Sequence, residues 1–158
     1  MIRTGIGFDS HRLVAGRPLI LGGQTIPFEQ GLAGHSDADA VAHALTDAIL
    51  GAAAAGDIGR LFPDTDPEWK GADSLALLQQ ACELVRYRGF TPRQADITII
   101  LERPKLTSHF PAMAEALSRA SGITVSAMGL KAKTNEGMGF IGRGEGIAVI
   151  AVATVEVS

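Results

Sequence analysis

Ile2, Thr4, Ile6 and Phe8 fall on one side of an alternating run and Arg3, Gly5 and Gly7 on the other, which predicts a strand over Ile2–Phe8. Carried onward, the alternation points Asp9 and His11 the same way, away from the apolar side. Leu19–Gly23 and Thr25–Phe28 read as short strands around a Gly-Gly turn. From Asp37 to about Ala55 the period changes. Val41, Leu45, Ile49 and Ala52 form a helical stripe, with Ser36 or Asp37 as the N-cap. At roughly 100° per residue, Asp39, His43 and Asp47 lie opposite that stripe.

Gly56–Pro67 is rich in Gly, Pro and Asp and predicts a loop, long enough to be functional. Ser74 is the predicted cap of a helix that buries Leu75, Leu78, Cys82 and Val85 and ends near Gly89. Asp96–Leu101 reads as a strand, Phe110–Ala120 as a helix closed by Gly122, and Met128–Thr134 and Ile147–Val157 as further strands. In the last strand Val149, Ala151 and Ala153 alternate with Ile150 and Val152, so both faces are apolar. A strand apolar on both faces is buried on both. Helices can cover one side; the chain has few elements left for the other, and an interface with another copy is the natural cover.

The chain has 158 residues, the size of one domain, and a hydrophobic fraction of 46% supports a real core. A charged fraction of 20% argues against disorder, and a net charge of -3 against a nucleic-acid partner. Cys82 is the only cysteine, which excludes an intrachain disulfide and a cysteine-based metal site within one chain. The N-terminal residues carry no signal-peptide pattern, and the apolar stretches are too short to span a membrane. A single-domain, soluble, cytoplasmic protein is the expectation.

Asp9, His11 and His43 are metal-ligand types brought to polar faces of a strand and a helix. One carboxylate and two imidazoles hold a zinc-like ion and leave a coordination position open, as catalytic sites do. The plain alternative is that His11 and His43 are surface or helix-cap histidines. His35 is a phosphate donor or a residue of the helix start; His109, ahead of Pro111, is structural. Most of Asp39, Asp47, Asp57, Asp64 and Asp66 suit turns and caps, while Asp57 and Asp64 also suit substrate hydroxyls. A second constellation runs from Lys131 to Gly146. Its glycines, Thr134, Lys131, Lys133 and Arg143 suit a phosphate site. Glu136 fits there if it holds a divalent cation such as magnesium, since a bare carboxylate repels phosphate. A strand followed by a Gly-rich turn accounts for the same residues without function.

Gly5-Ile6-Gly7-Phe8-Asp9-Ser10-His11, His35-Ser36-Asp37-Ala38-Asp39 with His43-Ala44-Leu45-Thr46-Asp47-Ala48, Gly56-Asp57-Ile58-Gly59 with Phe62-Pro63-Asp64-Thr65-Asp66, and Gly139-Phe140 with Gly142-Arg143-Gly144-Glu145-Gly146 occur in this order along the whole chain. In these stretches the chain resembles the 2-C-methyl-D-erythritol 2,4-cyclodiphosphate synthase family of the non-mevalonate isoprenoid pathway. The resemblance implies an α+β fold with a mixed four-stranded sheet, helices on one face, and a homotrimer whose sheets face the three-fold axis, with active sites between subunits. It implies zinc or another divalent transition metal on Asp9, His11 and His43, and magnesium or manganese on Glu136. His35 and Ser36 are implied to contact the substrate phosphate and erythritol, and Asp57, Gly59 and Asp64 the erythritol. Pro104, Lys105, Leu106, Ala132 and Thr134 are implied to line the cytidine and diphosphate pocket. Thr134, His35 and Glu136 are the implied catalytic groups. The implied reaction cyclises 4-diphosphocytidyl-2-C-methyl-D-erythritol 2-phosphate and releases CMP. An axial cavity near Phe140, Arg143 and Glu145 is implied as well, of a kind that suits a prenyl diphosphate. Ala38 stands where the family usually has Gly, and Lys133 and Asn135 flank Thr134 where hydroxyl residues are common. A metal-dependent hydrolase and a non-enzymatic ligand-binding trimer are the competing readings.

Overall fold

The first strand, β1, extends from Ile2 to Ala15, well past the predicted end at Phe8. Its side chains alternate through the whole length, as an extended backbone requires. The computed structural model, covering residues 1–158, places next the short strands β2 (Leu19–Leu21) and β3 (Gln24–Ile26). They pair around Gly22 and Gly23, both at positive φ, so the Gly-Gly turn is as expected. Strand β4 (Gln30–Leu32) follows, and then helix α1 (Ala40–Ala52). A short helix α2 (Ile58–Leu61) and the longer α3 (Ser74–Tyr87) lead to strand β5 (Phe90–Ile100). Helix α4 (Phe110–Ser121), strand β6 (Met128–Lys133), a short helix α5 (Gly139–Gly142) and strand β7 (Gly146–Val157) complete the chain.

The main sheet is mixed and five-stranded, in the order β4-β1-β7-β5-β6, with only β5 and β6 parallel. The expected count of four is corrected by β4, whose three residues pair antiparallel with the far end of β1, Leu13 to Ala15. A strand that short has no alternation to reveal it. Two other segments expected as irregular contain helices: α2 inside Gly56–Pro67, and α5 inside the Gly-rich run.

Helix α1 lies on the side of β1 that carries Gly5 and Gly7. A Cβ at either position would collide with the carbonyl oxygens of Ala48 or Ala44, so the helix sits closer than any side chain permits. Alanines on the facing helix make that approach possible. Val41, Leu45, Ile49 and Ala52 are buried as expected, but so are Ala40, Ala44, Ala48 and Leu50, and the helix is enclosed nearly all round. Burial of each large aliphatic contributes roughly 1.5–3 kcal/mol. The opposite face of β1 is bare: Ile2, Ile6 and Phe8 are 64%, 70% and 58% exposed. On β7 the same division appears. Val149, Ala151, Ala153 and Val155 are fully buried, while Val152, opposite Ile6 in register, is 38% exposed.

Asp39, not Ser36 or Asp37, caps α1, accepting from the Ala42 backbone at 3.0 Å. Its carboxylate also accepts from Gly22 and Gly23, at 2.9 and 2.7 Å, and so clamps the β2–β3 turn to the helix. Asp39 is completely buried rather than solvated, and burial raises its carboxyl to about 6 against those three N–H donors, with Asp37 adding to the rise. Ahead of it Ala38 adopts φ +57°, a conformation that favours glycine and costs alanine about 1 kcal/mol. Helix α3, by contrast, is capped one residue earlier than expected, by Asp73. Gly122 at φ +79° ends α4 in the left-handed conformation its position predicts.

Cys82 is a buried free thiol inside α3, as its place in the apolar stripe predicts. Burial pushes it up to about 12, outweighing the pull of Arg86. It is therefore neutral at any ordinary pH, and only the thiolate reacts. Native protein at pH 8 is expected to resist thiol-disulfide reagents, with Cys82 titrating fully once the chain is unfolded in denaturant. Fast reaction of the native chain would contradict this placement. No helix is long and apolar enough to cross a membrane.

Candidate metal centre and pocket

Strand β1 and helix α1 bring Asp9, His11 and His43 together, with one ligand atom of each lying within 4.8 Å of the others. Asp9 Oδ2 is 2.7 Å from His11 Nε2 and 3.1 Å from His43 Nδ1. The far nitrogen of each ring is engaged elsewhere. His11 Nδ1 donates to the Ala33 carbonyl at 2.8 Å, and His43 Nε2 lies 2.7 Å from Ser74 Oγ. Rings held from behind, with the other nitrogens aimed at one point beside a carboxylate, are how metal-binding histidines are oriented. The donor set therefore fits a divalent ion of the transition-metal kind, held by Asp9, His11 and His43.

Without an ion the three groups satisfy one another. Burial opposes charge on both Asp9 and His11, but their mutual hydrogen bond and attraction prevail, with His43 also favouring the Asp9 carboxylate. Asp9 sits below its ordinary 3.8 and His11 above its ordinary 6.5. The raised His11 stabilises the fold below about pH 6.5, an effect lost as pH rises through its folded value. The lowered Asp9 stabilises above about pH 3.8, an effect lost as pH falls through its folded value. In chelator-treated protein this pair should contribute most between about pH 4 and 6.5, whereas added metal should stabilise increasingly above that window, where ion and proton no longer compete. Thermal unfolding across pH with and without metal checks both arms; a metal-induced shift independent of pH would contradict the site.

The cluster opens onto a cavity of ≈ 390 Å³. His35 and Ser36 line it from the segment before α1, and Gly59 and Asp64 from the loop that holds α2. His35 is anchored through Nε2 to the Asp66 carbonyl at 3.2 Å, and its own carbonyl accepts from Gly71 at 2.7 Å. Asp57 is at the exposed start of α2, where it caps Arg60. Asp47 holds the Ile58 backbone at 2.7 Å, which ties this loop to α1 one turn beyond His43. Phe62 and Trp69 meet edge to face, 5.0 Å between centroids, and supply an apolar wall. That pair and Ser74 were not singled out as site residues from sequence: Ser74 read as a helix cap, and two aromatics seven apart in a loop carry no periodic signal.

The second constellation lies apart from this cavity. Thr134, Glu136 and Ala132 are exposed, and none of them lines it; Pro104 and Lys105 do not either. Leu106 is packed in the core, and its carbonyl accepts from the His109 backbone at 2.8 Å. Glu136, at φ +53°, is not part of the three-residue cluster. Its loop is held by Glu102, which accepts from the backbones of Asn135 at 2.7 Å and Gly137 at 3.0 Å. No feature of the sequence marked Glu102 for that role. Arg143 is paired with Glu145 through two contacts, at 3.1 and 3.2 Å, beside Phe140.

A helix-backed mixed sheet with a two-histidine, one-carboxylate cluster at the mouth of a cavity defines an α+β protein with a candidate metal centre. The YgbB family model matches residues 2–156, and the chain belongs to that family. It is 53% identical over 155 residues to the 2-C-methyl-D-erythritol 2,4-cyclodiphosphate synthase of Salinibacter ruber, covering 98% of this chain and 99% of that one. Among solved structures, a 2C-methyl-D-erythritol-2,4-cyclodiphosphate synthase in a CDP-bound form superposes with a TM-score of 0.89 at 45% identity, over 98% of this chain and 100% of that one. The bifunctional IspDF of Campylobacter jejuni superposes with a TM-score of 0.96 at 44% identity; the match takes in all of this chain but 43% of that longer one.

Proposed function

We infer that the chain converts 4-diphosphocytidyl-2-C-methyl-D-erythritol 2-phosphate into 2-C-methyl-D-erythritol 2,4-cyclodiphosphate and CMP. The observation that carries this is the Asp9–His11–His43 cluster opening onto a cavity lined by His35, Ser36, Gly59 and Asp64, in a chain of this family. An oxygen of the 2-phosphate bonds to the β-phosphorus; the bond from that phosphorus to the bridging oxygen breaks, and CMP leaves with the electron pair. The nucleophile is already anionic, so no strong base is needed. The task is to bring like charges into line, which is work for positioning and charge neutralisation.

Asp9, His11 and His43 would hold a divalent ion, which when bound would supply Lewis-acid charge neutralisation. His35 and Ser36, beside it, orient the attacking phosphate through hydrogen bonds. Asp57, Gly59 and Asp64 hold the erythritol hydroxyls. Thr134 and the backbone of its loop serve the diphosphate. Pro104, Lys105, Leu106 and Ala132 form the cytidine side. Zinc suits the first site by its nitrogen-rich donors, and magnesium or manganese suits Glu136 by its oxygen.

We further propose that the working form is a homotrimer, with the sheet face of Ile6, Phe8 and Val152 turned inward and each active site completed by a neighbour. The bare apolar face and the separation of Thr134 and Glu136 from the metal centre support this. In such an assembly Phe140 and Arg143 gather near the axis and suit a prenyl diphosphate, to which Arg143 would be shared with Glu145. A cytoplasmic setting suits a chain whose only cysteine is a free thiol.

Incubation with the proposed substrate and magnesium, followed by mass identification of products, tests the reaction. Cyclic diphosphate plus CMP is expected; products carrying solvent oxygen would mean hydrolysis instead, and no CMP release would end the enzyme reading. Glu136→Gln is expected to shift the magnesium dependence of activity at least about tenfold while leaving tightly bound metal in place. Superimposable magnesium titrations would assign Glu136 another role.

A further inference from the structure

His43 turns Nδ1 toward Asp9 and Nε2 toward the first residue of α3, Ser74. Ser74 is fully buried, and its hydroxyl also donates to Asp37 Oδ1. A carboxylate only accepts, so the single Ser74 hydroxyl proton is committed to Asp37. Toward His43, Ser74 can then only accept, and His43 must carry its proton on Nε2. That leaves the Nδ1 lone pair facing Asp9 Oδ2 at 3.1 Å, two acceptors pointed at one place where a cation belongs. Asp37 is itself fixed, by the Ser74 backbone at 3.1 Å and the Asp39 backbone at 3.1 Å. Ser36 Oγ is farther from His43 Nε2, at 3.2 Å, and accepts from the Ala38 backbone at 3.1 Å. Since Ser74 takes the His43 proton, the Ser36 hydroxyl proton stays free to point into the cavity that Ser36 lines.

We propose that Ser74, anchored by Asp37, is a positioning residue for the metal centre. It sets the tautomer and ring orientation of His43 and releases Ser36 to donate to a substrate oxygen. The inference deepens the metal reading above and rests on it. Ser74 acts through His43 and touches neither substrate nor reacting atoms.

The test is zinc affinity, measured on the full chain by competition with a chromophoric chelator, for the parent, Ser74→Ala and Asp37→Asn. Loss of a group that orients a metal-binding histidine weakens metal binding by about 10- to 100-fold. Ser74→Ala should show that loss, and Asp37→Asn a smaller loss in the same direction. If Ser74→Ala does not fold, Asp37→Asn carries the comparison. Nitrogen-15 spectra of the zinc-loaded parent need no variant: the His43 proton is expected on Nε2. A proton on Nδ1, or variants binding zinc within about twofold of the parent, would overturn the relay while leaving the metal site standing. A parent that binds no zinc takes down the metal reading and this inference together.

Discussion

His43→Ala is expected to remove the tightly bound metal and lower kcat/KM at least about a thousandfold, which corresponds to about 4 kcal/mol of transition-state stabilisation. Two ligands, Asp9 and His11, would remain, two residues apart on one strand, and a two-point site on a single element does not hold an ion against water. The fold should survive. His43 is on the side of α1 away from the Val41–Leu45–Ile49 stripe, and alanine is the best helix former. What is lost is the contact of one ring with Asp9 and its hydrogen bond to Ser74, worth about 1–3 kcal/mol together. Metal content by elemental analysis, beside circular dichroism and activity, separates these outcomes. A variant that keeps full metal occupancy would remove His43 from the ligand set.

The candidate metal cluster was legible in the sequence because each of its members sits in a regular element. Spacing of two on a strand aligns Asp9 with His11, and the helical period frees His43 from the core stripe. Helix ends at Gly89 and Gly122 were legible for the same kind of reason, since only glycine takes a left-handed turn without cost. What eluded the pattern depends on tertiary contact. Asp39 looks like a solvated cap until the β2–β3 turn closes over it. Ser74 looks like an N-cap until α3 is docked beside α1. Strand β4 is defined by its pairing with Leu13–Ala15, and Gln30-Gly31-Leu32 is too short to show a strand pattern by itself. The rest of the proposed site follows from likeness to a family, residue by residue, and only a part of it converges in one chain: His35, Ser36, Gly59 and Asp64 meet around the cavity, while Thr134 and Glu136 do not.

That separation and the bare sheet face lead to the other large effect. Ile6→Glu is expected to break the proposed trimer and abolish activity, while the isolated chain remains folded. Ile6 is 70% exposed on the single chain, in register with Val152 on β7 and beside Phe8 at 58%. Substitution at so open a position costs the lone subunit little. Turned inward against other copies, the same position loses roughly 1.5–3 kcal/mol of apolar burial per subunit and brings a carboxylate without a partner into an apolar interface, which costs several kcal/mol more. The carboxylates would also meet one another around an axis. Ile6 does not touch the metal centre: its side chain is on the opposite face of β1 from Asp9 and His11. Metal binding should therefore persist in the dissociated chain, and loss of activity would report the loss of a neighbour's half of the site. Sedimentation or native mass spectrometry at micromolar concentration, with metal analysis of the same sample, reads both. A parent that is monomeric, or an Ile6→Glu chain that assembles and turns over as the parent does, would end the shared-site proposal. A variant that dissociates but stays active would place the whole reaction within one subunit.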